Sequence, residues 1–328
     1  MPNLLQGGRK RRRTKGWVVA VALVAAPLAL AAGAWLTLHG RHKHSGPSLP
    51  VATHSLRQHR RAAHPKHHPR PIPVIHIGAP NAFHLRFGKP PRAALVVDLD
   101  SGDVLWRFHP YRRLPIASLT KIMTALLVTE RTAPNDRVRI TKAALRYQGT
   151  GLGVLKPGKR VRLETLLNGL LLVSGNDAAI ALAVHVAGTQ RRFVRLMNRR
   201  ARVWGLRCTH YVDAHGLASR NRSCARDLAV LARLAMTNRR ITRVIRRPQV
   251  TFRFPVKGGR IVLSGHNPLI RAHYRGAIGL KTGFTDAAGH CFVGVARRHG
   301  RTVAVVLLDS PNPLKHSAKL LNEGFAHE

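Results

Sequence analysis

Three short clusters in this chain carry groups able to do covalent chemistry. The first is Ser118-Leu119-Thr120-Lys121. A serine hydroxyl is a weak nucleophile until a neighbour removes its proton. A lysine three residues on shares a helix face with it. It can take that proton once desolvation or a second cation lowers its pKa. The second cluster is Ser174-Gly175-Asn176, at the end of an apolar run over 166–173. It offers a hydroxyl that can relay a proton and a carboxamide that can grip a peptide group. The third is Lys281-Thr282-Gly283, followed by Phe284. Here a cation and a hydroxyl could hold a carboxylate, and the glycine admits a close backbone approach. Each cluster alone also reads as ordinary structure: a helix cap with a solvent-facing lysine, a helix-ending turn, an exposed strand end.

The surrounding pattern supplies elements to position them. Residues 93–99 and 104–108 read as strands joined by the turn Asp100-Ser101-Gly102-Asp103. From Ser118 to about Asn238 the pattern is mostly helical, with segments over 119–129, 163–172, 178–186 and 223–236. Strand patterns return over 250–254, 278–280, 291–296 and 302–308, the last two joined by a loop at 297–301. A helix over 314–322 closes the chain. The expected class is α+β: an antiparallel sheet with flanking helices and a mostly helical subdomain.

The first 83 residues read differently. Residues 1–16 hold a basic cluster (Arg9, Lys10, Arg11, Arg12, Arg13, Lys15), and 17–38 carry no charge. That length crosses a bilayer of ~30 Å, and the cluster predicts a cytoplasmic N-terminus with the remainder outside. The span reads as a signal-anchor; cleavage near Ala32-Gly33-Ala34 would instead release a secreted protein. Residues 39–83, rich in Pro, His and Arg, read as a disordered tether, and 84–328 as the folded domain.

The chain has 328 residues and a formal net charge of +43, from 56 Lys+Arg against 13 Asp+Glu. Such an excess suits an anionic partner, a wall or a membrane surface, or else an acidic exterior in which carboxylates would be protonated and contribute little. Nucleic acid is not expected: aromatics are only 5% and no helix-turn-helix, zinc finger or RNA-binding signature occurs. Three cysteines exclude a disulfide-rich mini-protein and no Cys-x-x-Cys pair occurs. Cys208 and Cys224 could be bonded or remain two buried thiols; Cys291 reads as core.

The clusters occur in the order Ser-x-x-Lys, Ser-x-Asn, Lys-Thr-Gly, a set found in penicillin-binding proteins and class A β-lactamases. Further matches are Leu155-Lys156-Pro157-Gly158, Asp213-Ala214-His215-Gly216-Leu217 and Ala288-Gly289. Over about residues 84–325 the chain resembles the D-alanyl-D-alanine carboxypeptidase family of low-molecular-mass penicillin-binding proteins. The resemblance implies a serine acyl-enzyme acting on peptidoglycan stem peptides and inhibited by β-lactams, without metal or cofactor. It implies Ser118 as nucleophile, Lys121 as its base and Ser174 as proton relay. Asn176 would hold the substrate amide, and Lys281 and Thr282 its carboxylate. Gly283 belongs to the same motif, and the backbone N–H groups of Ser118 and Phe284 would form the oxyanion hole. The stretch Gly149-Thr150-Gly151-Leu152-Gly153 departs from the Ser-Ser-Met common in relatives. The chain ends about 20 residues after Asp309, so the N-terminal span is expected to take the anchoring role that many relatives give to a C-terminal helix.

Other activities fit less well. A β-lactamase needs a deacylating glutamate between the second and third clusters, and none lies between Asn176 and Lys281; Glu164 precedes Ser174. A D,D-endopeptidase cutting cross-links would use the same residues. A catalytically silent penicillin sensor sits badly with an intact set. His215 and His290 read as structural.

Overall fold

The structure, a computed structural model, describes residues 73–327. The basic segment, the uncharged span and most of the expected tether lie outside the described residues. The tether's last part does not: Ile75 and Phe83, assigned to it from composition, are buried, and His76 bonds Asp103 at 2.9 Å. The folded domain therefore starts upstream of residue 84. Two buried apolar side chains and backbone bonds to Gly102 and Leu105 hold this stretch against the first hairpin.

The domain opens with that hairpin, β1 (Ala93–Asp98) and β2 (Val104–Phe108). A two-residue strand, β3 (Leu114–Pro115), leads through the tight turn Ala117–Leu119 into α1 (Thr120–Arg131). Next come β4 (Arg137–Arg139), α2 (Lys142–Leu145), β5 (Arg160–Arg162), α3 (Leu163–Leu171), α4 (Asn176–Ala187) and α5 (Gln190–Val203). β6 (Arg222–Ser223), α6 (Ala225–Met236) and α7 (Arg239–Ile245) complete the helical layer. A second hairpin, β7 (Gln249–Arg253) and β8 (Arg260–Ser264), and the short α8 (Pro268–Arg271) return the chain to the sheet. There it forms β9 (Ala277–Thr285), β10 (Gly289–Arg298), β11 (Arg301–Leu308) and the closing helix α9 (Pro313–Ala326).

The main sheet is antiparallel, in the order β2-β1-β11-β10-β9. Every residue of β1 is buried, because both faces are covered. Alternation along the strand sends Leu95 and Val97 to the helical layer and Ala94 and Val96 to α9. The expected α+β architecture stands, with two differences in detail. The loop foreseen at 297–301 shrinks to His299-Gly300, both with positive φ (48° and 86°), the backbone that a tight two-residue hairpin requires. The strand foreseen at 278–280 runs on to Thr285, because pairing with β10 carries it past the point where apolar alternation fades.

Register places the third cluster. Leu95, Val306, Val293 and Lys281 lie side by side across four strands. Directly paired residues share a face, so Lys281 points into the helical layer as Leu95 does. β9 is the edge strand, which leaves its outer rim open.

Candidate active site

Ser118 sits in the tight turn just before α1, and Lys121 in the first turn of that helix. α1 runs through the middle of the helical layer, and Thr120 to Val128 are all buried. Burial thus reaches Lys121, which has no exposed surface. Its Nζ lies 2.8 Å from Ser118 Oγ, 2.7 Å from Asn176 Oδ1 and 2.6 Å from the His215 carbonyl. A neutral amine has two hydrogens and one lone pair. Given to Asn176 and His215, the hydrogens leave the lone pair facing the serine hydroxyl.

The electrostatics favour that neutral form. Desolvation, and then the charge of Lys281, push the Lys121 pKa well below its ordinary value, against an opposing pull from Asp213 and Asp177. Burial also pushes Lys281 down, to about 7. Its Nζ donates to the Thr282 carbonyl at 2.8 Å.

Two acidic residues build the walls. Asp213 accepts from the backbone N–H groups of His215, Gly216 and Ala218 at 2.9, 2.5 and 2.8 Å, and from Asn221 Nδ2 at 3.0 Å. Its oxygens are committed to shaping the turn that presents the His215 carbonyl to Lys121. Gly216 (φ 92°) lies so close to the Ala117 carbonyl that a Cβ there would stand 1.9 Å from its oxygen. Asp177 accepts from the N–H groups of Leu152 and Gly153 at 2.9 and 3.0 Å. That bond fixes the glycine-rich stretch 149–153 beside Asn176, whose own N–H donates to the Thr150 carbonyl at 2.8 Å.

Asn176 opens α4, and both ends of its carboxamide are engaged, Oδ1 by Lys121 and Nδ2 by the Gln148 carbonyl at 2.7 Å. It therefore positions the lysine, a duty that the spacing alone did not suggest. Ser174 lies between α3 and α4, buried, with a left-handed backbone (φ 64°). Such a conformation costs energy in a non-glycine residue and tends to occur at functional sites. Ala117, beside Ser118, is left-handed too (φ 44°).

Gly283 closes the site. A Cβ on it would lie 3.0 Å from the Ser118 backbone N and 3.2 Å from the Ala117 Cβ, so β9 approaches the serine turn as only a glycine permits. Thr282 falls in the alternate row, paired with Phe292. It borders, with Lys281, a small pocket also lined by His266, Asn267 and Arg247. Phe284 turns its ring out to solvent, 56% exposed and 4.5 Å from the His290 ring.

The structure thus joins Ser118, Lys121 and Asn176 by direct hydrogen bonds and brings Lys281 and Gly283 against them. Asp213, Asn221, Asp177 and the carbonyls of Gln148 and His215 escaped the sequence reading. Asp213 and His215 did lie in a noted motif; the two carbonyls leave no side-chain signal. Glu164 is on α3 and pairs with Arg240 at 2.8 Å, in keeping with a structural role.

The family model for D-alanyl-D-alanine carboxypeptidases matches residues 90–312. The chain belongs to this family. It is 36% identical to the D-alanyl-D-alanine carboxypeptidase DacB2 of Mycobacterium tuberculosis, over 72% of this chain and 83% of that protein. It is 32% identical to a D-alanyl-D-alanine endopeptidase of Pseudomonas aeruginosa, over 69% and 73% of the two chains. Among solved structures, a point mutant of the Streptomyces K15 DD-transpeptidase superposes with a TM-score of 0.68 at 31% identity, over 74% of this chain and all of that one. Family membership accounts for the order and spacing of the three clusters between Ser118 and Gly283.

The cysteine alternatives resolve. Cys208 and Cys224 are bonded, with Cα atoms 5.6 Å apart. Cys291 is a buried free thiol whose pKa burial pushes up to about 12, a packed and unreactive state.

Proposed function

We propose that this protein is a serine D-alanyl-D-alanine carboxypeptidase that trims peptidoglycan stem peptides. One observation carries the reading: a fully buried lysine whose Nζ lies 2.8 Å from Ser118 Oγ and within 2.7 Å of two fixed acceptors that can take both hydrogens of a neutral amine. Ser118 Oγ attacks the carbonyl carbon between the two D-alanines while its proton passes to Lys121 Nζ. The oxyanion rests on the backbone N–H groups of Ser118 and Phe284. As the tetrahedral intermediate collapses, the C–N bond breaks, and Ser174 relays a proton to the departing D-alanine amine. Water then cleaves the Ser118 ester and regenerates the hydroxyl. Lys281, still protonated below about pH 7, and Thr282 hold the terminal carboxylate. β-Lactams would acylate the same serine.

The uncharged stretch 17–38 behind a basic cluster supports a membrane-anchored enzyme with its catalytic domain outside the cell, where its substrate lies. The overall basicity supports attraction to an anionic wall or membrane surface.

The test is D-alanine release from a diacyl-L-Lys-D-Ala-D-Ala tripeptide by the wild-type chain and by Ser118→Ala. Release by the first alone, with penicillin adding its mass to the first alone, is expected. A wild-type protein that takes up penicillin but releases D-alanine only from cross-linked dimers would be an endopeptidase. One that takes up penicillin and hydrolyses neither substrate would overturn the enzyme reading.

A further inference from the structure

The outer surface of α5 is strongly basic. Its 14 residues hold six arginines and no acidic residue. Arg195, Arg199 and Arg202 follow one another at four- and three-residue spacing, so their stems line one face about 6 Å apart. Together with Arg113, Arg207 and His210 they line a groove of about 770 Å³. All six side chains are exposed. Among the described residues no carboxylate pairs with any of the five arginines; Arg200, on the neighbouring face, pairs with Glu130 at 2.8 Å. Five guanidinium groups without a carboxylate partner repel one another.

The far wall of the groove is rigid. The Cys208–Cys224 bond pins it, and Asp227 accepts from the Cys208 N–H and the Thr209 hydroxyl at 2.8 Å each. Arg113 Nε donates to the Cys208 carbonyl at 3.1 Å.

We propose that this groove binds a linear, non-nucleic phosphodiester polymer. Guanidinium forks pair with phosphate oxygens in a bidentate manner, and a row of them at this spacing suits charges repeating along a chain. The concave shape fits a strand better than a flat bilayer. The lining holds no Phe, Tyr or Trp, so it lacks the stacking platform that single-stranded nucleic acid uses. The proposal does not depend on the catalytic reading, since no residue of the groove belongs to the site around Ser118.

The test uses the full chain and fluorescent poly(glycerol phosphate). Arg195→Gln/Arg199→Gln/Arg202→Gln is compared with Arg139→Gln/Arg160→Gln/Arg162→Gln, which removes the same charge from another exposed surface. Circular dichroism and thermal unfolding report that both remain folded. The groove variant should bind at least tenfold more weakly, with the slope of log affinity against log salt reduced by about three, roughly one per lost phosphate contact. The control should change less than twofold. Equal losses in both variants would reduce the effect to diffuse charge and overturn the proposal. So would a groove variant that loses binding to phosphatidylglycerol vesicles or oligothymidylate while keeping the polymer.

Discussion

The floor of the active site and the arginine face of α5 hold charges of one sign under opposite conditions. In the floor, Lys121 and Lys281 are buried, and water is replaced by a few fixed carbonyls and one carboxamide. The charged form becomes expensive, so each lysine moves toward neutrality and one becomes a base. On the α5 face water solvates every guanidinium, and arginine has no neutral form within reach at any physiological pH. A net charge of +43 therefore says little about chemistry. Covalent chemistry depends on the two cations the fold has taken out of water.

The strongest way to break this contrast is to put the α5 kind of cation into the floor. Lys121→Arg keeps the charge but cannot accept a proton from Ser118. D-alanine release and penicillin acylation should both fall by about 10³-fold or more. Retained activity in this variant would mean that Lys121 is not the base.

Lys281 separates binding from stability. Its pKa is near 7 when folded and 10.5 when free, so between those values the unfolded chain holds more protons. Stability contributed by this group therefore rises with pH from about 7 to 10.5 and is lowest below 7. Lys281→Met should raise the melting temperature, most clearly near pH 6, and flatten that slope. It should also raise KM for the tripeptide more than it lowers kcat, costing about 10²-fold in kcat/KM. A variant less stable than wild type at pH 6 would show that the lysine's bond to the Thr282 carbonyl outweighs its desolvation.

The wall shared by α6 and the groove is the next target. Replacing Cys208 and Cys224 by serine releases a loop of 16 residues, worth about 3 kcal/mol in the chain-entropy account. Thermal unfolding should shift down by several degrees while kcat/KM at 25 °C stays within about twofold. The smallest effect belongs to the α5 face itself. The Arg195, Arg199 and Arg202 triple variant should leave tripeptide hydrolysis within about twofold, because those charges are solvated and screened beyond ~8–10 Å at ordinary ionic strength.

Much of this was readable beforehand. Local pattern located β1, β2, α1, α3 and α6 within a few residues, because amphipathic period and turn residues act over short stretches. The same pattern misjudged β9, whose polar half is a strand only because β10 pairs with it. It also set the domain start at residue 84, since composition marks a Pro- and His-rich segment as a tether and cannot show that Ile75 and Phe83 find a surface to cover.

For the site, the sequence by itself determined which groups were available: a serine and a lysine one helical turn apart, a hydroxyl and a carboxamide after an apolar helix, and a cation before a glycine. Covalent order and helix geometry settle that much. Only the tertiary structure decided which of them act together. Lys121 becomes a candidate base because α1 is covered on all sides, Lys281 stands near it, and Asn176 and the His215 carbonyl take its hydrogens. Desolvation, long-range charge and the direction of a backbone carbonyl arise from packing, so no local stretch of sequence records them.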